Sequence, residues 1–224
     1  MITDFLTTIL GTFIGLLPIA NPFSTAVVFL TLTQTYSLAR RRETAWQASL
    51  YMACVLWVFL VAGVLIMAFF GISLPAMRIA GGLIVARIGF GMLTPKQTGE
   101  EEAPEHDGPG QGIAFTPLAM PMLSGPGSIA VTIGMAAGAE GVLEPIGIAL
   151  GIAAVGGVSY LVLREAHRVV TFLGVVGMDA LTRIMGFLLV CVGVQFIAVA
   201  VGEILSTAEF MEPILRTIDG AGGR

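Results

Sequence analysis

Charge is what this chain most conspicuously lacks. Only 12% of its residues are Asp, Glu, Lys or Arg, against about a quarter in an ordinary soluble domain, while 56% are hydrophobic and the mean hydropathy is +0.92. That shortage excludes a water-soluble globular fold. Histidine and cysteine are scarce too, with two of each. Cys54 and Cys191 fall inside apolar stretches and read as small packing residues, not as a disulfide framework. His106 and His167 fall in expected loops, and no His, Cys and carboxylate cluster has metal-ligand spacing. No metal or cofactor is expected. Met1-Ile2-Thr3-Asp4-Phe5 lacks the basic region of a cleavable signal peptide. Enzyme signatures are missing as well. Ser124-Gly125 would suit an intramembrane serine protease, but Met122 stands where a GxSG motif needs glycine, and no membrane-embedded histidine is available as base. The run Ser124–Ser128 lacks the GK[ST] of a phosphate loop. The chain is not expected to be an enzyme.

What is present is lipid-spanning sequence. Six apolar stretches, at 5–33, 46–70, 74–94, 113–138, 143–163 and 181–203, each hold enough residues for a span of about 20. The net charge of −4 has a local origin: the stretch Thr94–Gly112, TPKQTGEEEAPEHDGPGQG, alone sums to −4. Its prolines and glycines read as a flexible linker, and its acidity argues against a nucleic-acid partner. The expected organisation is a first three-helix repeat at 1–95, the linker at 96–111, a second three-helix repeat at 112–205 and a tail at 206–224.

Two interrupted helices carry that division. Leu17-Pro18-Ile19-Ala20-Asn21-Pro22-Phe23-Ser24-Thr25 breaks the first stretch, and Pro121-Met122-Leu123-Ser124-Gly125-Pro126-Gly127-Ser128 breaks the fourth. At an offset of 104, Pro22, Ser24, Ala26 and Val27 fall on Pro126, Ser128, Ala130 and Val131. Phe70-Gly71 aligns with Leu173-Gly174, and Arg78-Ile79-Ala80-Gly81 with Arg183-Ile184-Met185-Gly186, at offsets of 103 and 105. Lipid cannot satisfy backbone groups freed by such breaks, so they survive in protein or beside a polar cavity. A matched pair, one in each half, points to a transporter's binding site. Asn is a strong helix N-cap and Pro suits the first helical position. Two half-helices starting near the midplane would turn their N–H groups and positive dipole ends towards one cavity, a site suited to a carboxylate. The candidate substrate-binding residues are Pro18, Asn21, Pro22, Ser24, Thr25, Pro121, Ser124, Gly125, Pro126, Gly127 and Ser128. A plain proline kink is the competing account of each break taken alone.

Three cations inside the spans are candidate gating or substrate charges. Arg78 and Arg183 are repeat-related and near span ends, where snorkelling to opposite interfaces also explains them. Arg87 lies about 13 Å deeper than Arg78 and is expected to face the bundle interior. Gly134/Gly138 and Gly147/Gly151 have GxxxG spacing and read as helix-packing surfaces. Arg40, Arg41, Arg42, Lys96, Arg164 and Arg168 fall on one side of six straight spans, the cytoplasmic side, which leaves both termini outside. An odd number of spans per half makes the repeats inverted. Re-entrant hairpins at stretches 1 and 4 would split these cations between two sides, so six spans are favoured.

PIANP near the start, GISLPAMRIAGG before the third span and PLAMPMLSGPGSI in the fourth resemble the MarC family of integral membrane proteins, over residues 5–203. The resemblance implies a bacterial inner-membrane protein associated with transport of small neutral amino acids, linked by name to multiple antibiotic resistance and similar to LysE-type exporters. Pro18, Asn21, Pro22, Pro121, Gly125, Pro126, Gly127, Arg78, Gly81 and Gly82 match its motifs. Gly91 stands where relatives often carry an acidic residue, and Arg87 where an apolar one is usual, so a proton- or sodium-coupling mode does not transfer. The expectation is an all-α, six-span, inverted-repeat carrier of a small solute, a neutral amino acid first, working by alternating access. The alternatives are efflux of another metabolite or drug, a non-transporting membrane scaffold, or an unrecognised membrane enzyme. Oligomeric state is not legible.

Overall fold

A computed structural model describes residues 2–94 and 113–206. The expected linker at 96–111, with Lys96 and His106, and the tail beyond Ser206 lie outside the described residues. Among those described, the regular structure is helical, with no strand. It comprises α1 (Ile2–Ala20), α2 (Pro22–Leu32), α3 (Leu38–Phe70), α4 (Leu74–Leu93), an irregular wound segment (Ala114–Leu123), α5 (Pro126–Ala137), α6 (Leu143–Arg164) and α7 (Ala166–Leu205). Five helices are long and apolar enough to cross a membrane. The irregular segment and α5, bent by 62°, make a sixth if taken as one span.

The element boundaries follow local chemistry. Asn21, at φ 37 and ψ 63, separates α1 from α2, and its side chain caps α2 by accepting from the Ser24 N–H. Ser37 caps α3 and Ser73 caps α4 in the same way. The Ser37 cap starts α3 at Leu38, eight residues before the expected start at 46, so Arg40 to Arg42 belong to a helix. α7 likewise begins at Ala166, and His167, expected in a loop, lies in its first turn. Gly71 ends α3 at φ 64 and Gly174 bends α7 at φ 62, with ψ −179. L side chains avoid that region. The wound segment is extended at Thr116 (φ −120, ψ 123) and Met120 (φ −128, ψ 123), in the residues before Pro117 and Pro121, where proline disfavours helical backbone.

Packing joins the two halves of the chain. The most extensive pairing is α4 with α7, an antiparallel crossing on four glycines. A Cβ on Gly82 would come within 2.6 Å of the Gly193 carbonyl, and one on Gly193 within 2.5 Å of the Gly82 carbonyl. Two turns along, Gly89 and Gly186 face each other's carbonyls at 2.6 and 2.9 Å by the same measure. Gly147 and Gly151 of α6 seat Thr8 and Thr12 of α1. The other expected glycine pair, Gly134 and Gly138, instead borders a cavity. α3 packs on α6, where the Trp57 indole N–H donates to the Ala149 carbonyl at 3.0 Å. Leu16, Phe29, Met52 and Leu56 from the first half and Leu118, Leu123, Ile152, Leu163 and Leu189 from the second form one buried core. Cys54 and Cys191 are exposed on outward faces, not buried among small packing residues as expected.

Candidate functional site

A polar opening lies where α2 meets the end of α4 and the start of the straight part of α7. Its volume is about 540 Å³, within the range of small-molecule sites. The Asn21 side-chain amide donates to Ser24 Oγ at 2.7 Å and lies 4.0 Å from the Met92 sulfur. Ser24 Oγ is 3.1 Å from Thr182 Oγ1, which ties α2 to α7. One turn of α7 then places opposite charges side by side. Arg183 Nε and Nη2 each lie 3.0 Å from Asp179 Oδ2. Both contacts use one carboxylate oxygen, so the pair keeps hydrogen-bonding capacity for a third molecule. Val27, Val28, Met92, Met122 and Met178 supply an apolar wall. Such a set places one carboxylate, one guanidinium and neutral hydrogen-bonding groups beside an apolar surface.

A second cavity, of about 280 Å³, opens at the other end of the α4–α7 pair, bordered by Thr8, Thr12, Arg78, Gly134, Gly138 and Glu144. Arg78 is ion-paired with Glu203 of α7. Glu144 accepts from the Glu140 N–H at 2.7 Å. Among the described residues, no group of three or more His, Cys, Asp or Glu is placed to hold a metal ion.

The sequence-derived candidates separate on this map. Asn21 and Ser24 line the first cavity together with Arg183, and Arg78 borders the second. Pro18, Pro22 and Thr25 are buried, and the Thr25 hydroxyl donates to the Asn21 carbonyl at 3.1 Å. The second break contributes only Met122 to the first cavity. Ser124 Oγ donates to the Ala119 carbonyl at 2.8 Å and is fully buried. Ser128 Oγ donates to the Leu123 carbonyl at 3.5 Å. A Cβ on Gly125 would meet the Pro121 carbonyl at 2.7 Å, and one on Gly127 would meet Ile19 and Val85 at 3.3 Å. Pro121 and Pro126 are exposed outside both cavities. Arg87 corrects an expectation: it is exposed among Leu83, Ile84, Ile88 and Phe90 on an outward face of α4, in neither cavity. The opposite face of α4 is taken by the glycine crossing, which admits no long side chain.

Thr182 and Asp179 escape a reading of the sequence alone. An acid and an arginine four residues apart look like a routine helix-surface pair, and only α2 lying against α7 turns them into a cavity wall. The nearest signal to them is Arg183, which aligns with Arg78 at an offset of 105.

Five helices among the described residues, or six if the bent pair counts as one span, are long and apolar enough to cross lipid, which defines a multi-pass integral membrane protein. The chain belongs to the MarC family of integral membrane proteins, whose model matches residues 6–205. Its similarity to curated relatives is close. It is 42% identical over 206 residues to the inner membrane protein MarC of Citrobacter koseri, covering 86% of this chain and 93% of that one. The protein of that name from Salmonella typhimurium is 44% identical over 206 residues at the same coverage. One from Escherichia coli is 42% identical over 207 residues, again covering 86% and 93%. No solved structure matches the chain.

Proposed function

We propose that this chain carries a small solute, a neutral amino acid in the first instance, across the bacterial inner membrane by alternating access, and that it has no enzymatic role. The observation that carries the reading is the first cavity. Asp179 and Arg183 offer complementary charges to an ammonium and a carboxylate, Asn21, Ser24 and Thr182 supply neutral hydrogen bonds, and the methionines and valines accept an aliphatic side chain. Met is well suited to a wall that takes several side-chain shapes. The names of the relatives support an inner-membrane location.

The carrier architecture is an inverted repeat in this reading, with stretches 1 and 4 as broken spans. Support comes from the α4–α7 crossing. Gly82 and Gly89 of the third stretch face Gly193 and Gly186 of the sixth, so the antiparallel crossing pairs small residues of one half with small residues of the other. The mated Gly71 and Gly174 also share positive φ. Arg40 to Arg42 and Arg164 then lie inside and both termini outside.

Stereoselective, saturable uptake by proteoliposomes tests the proposal, run with and without sodium and proton gradients to read any coupling ion. Amino acids are expected to compete, and the corresponding amines and carboxylic acids alone are expected to compete poorly. Flux of a structurally unrelated drug or metabolite, with none for amino acids, would assign efflux instead. Absence of flux for every solute would return the chain to a scaffold.

A further inference from the structure

We infer that the Arg78–Glu203 ion pair is the lock of the second cavity, holding the start of α4 to the end of α7 where the first cavity has no such tie. This rests on the transport reading for its purpose, but its evidence is separate. The two cavities sit at opposite ends of α4 and α7, and each contains one of the repeat-related arginines. Their ion pairs differ in kind. Arg183 bonds Asp179 four residues earlier on its own helix, which ties no two elements together. Arg78 bonds Glu203 on another helix in the other half of the chain, which fixes the start of α4 to the end of α7.

Burial follows the same division. The Arg78 side chain is 17% exposed and that of Arg183 is 45% exposed. The Arg78 guanidinium also lies on the end of α5, where a Cβ on Gly138 would come within 2.8 Å of Nη2. One side chain thus brings α4, α5 and α7 together over a cavity about half the volume of its counterpart. Glu203 is 40% exposed, so the lock is a weak and reversible one. Glu144 borders the same cavity, its carboxylate taken up by the Glu140 N–H at 2.7 Å.

Cysteine accessibility reads the lock without any knowledge of the substrate. In full-length protein with Cys54 and Cys191 replaced by serine, Gly134→Cys reports on the second cavity and Val28→Cys on the first. A Cβ at Gly134 meets nothing closer than 3.9 Å. Glu203→Gln is expected to raise labelling of Gly134→Cys by a water-soluble methanethiosulfonate about fivefold, the shift that loss of one partly exposed ion pair allows, and to slow labelling of Val28→Cys. The exchanged pair Arg78→Glu with Glu203→Arg is expected to restore both rates. Gly138→Ala, which displaces the guanidinium while leaving both charges, is expected to open the second cavity in the same sense. Unchanged rates in folded Glu203→Gln and Gly138→Ala protein, or rates moving together at both probes, overturn the lock. Reciprocal labelling without flux of any solute would leave the lock standing and remove the transport reading.

Discussion

Asn21 does two jobs that different substitutions separate. Its backbone sits at φ 37, and its side chain caps α2 and bonds Ser24 in the cavity. A left-handed conformation costs an ordinary L residue about 1–2 kcal/mol, and a lost cap costs about 1 kcal/mol. Asn21→Leu is therefore expected to lose both, about 2–3 kcal/mol together, seen as a lower melting temperature in detergent. Asn21→Gly relieves the backbone strain and removes the side chain, so it should stay close to wild type in melting while raising the KM for uptake. Equal KM values for wild type and Asn21→Gly would remove Asn21 from the site. The two charges separate in the same way. Arg183→Gln is expected to abolish the advantage of carboxylate-bearing competitors, and Asp179→Asn that of amine-bearing ones, in uptake competition. At the second break the expectation is different. Gly125→Leu would press on the Pro121 carbonyl, so the yield of folded protein should fall before any binding constant changes.

Among the elements, α4 and α7 depend on the absence of side chains. Gly82→Val or Gly186→Val would push Cβ atoms into backbone carbonyls at 2.6 and 2.9 Å, where neither helix can give way cheaply. Overpacking of this kind costs about 1–3 kcal/mol. Gly157→Ala of α6, where nothing lies within 4 Å, is the matched control, and helix propensity gives it a gain of up to about 1 kcal/mol. Thermal melts of the purified variants check both. The helix starts at Pro22 and Pro126 were legible in sequence because proline and helix caps act locally. The face of α4 was not. Leu83, Ile84, Ile88 and Phe90 surround Arg87 with apolar residues, and in a lipid-embedded helix both the protein-facing and the outer surfaces are apolar. Only the glycine spacing marks the inner face, and its meaning depends on the matching glycines of α7. Cys54 and Cys191 mislead for the same reason: a small apolar residue is equally at home against lipid.

Across the whole molecule, contacts run between halves more than within them. α1 lies on α6, the wound segment on α3, α4 on α5 and α7, and α2 on α7. Residues 1–95 and 112–224, expressed alone, are therefore expected to insert in the membrane without forming a stable fold, and to assemble when coexpressed. Size-exclusion profiles and protease resistance measure this, and a stable, monodisperse first half would contradict it. The expected division at the linker rests on resemblances visible residue by residue, whereas interlocking is a property of space. Motion between two intact halves is hard to reconcile with this packing. The moving boundary has to run across helix pairs such as α4–α5 and α2–α7.

The interlocking also has a consequence in time. Ribosomes deliver the chain from its amino terminus, so α1 to α4 enter the bilayer before their partners α5, α6 and α7 have been made. The glycine face of α4 waits without α7, and Thr8 and Thr12 wait without the glycines of α6. Roughly half of the polypeptide must persist as inserted but unassembled helices until translation of the second half is complete. Slowing elongation just after the fourth helix should therefore expose the nascent protein to membrane quality-control proteases for longer, and steady-state abundance should fall although no residue has changed.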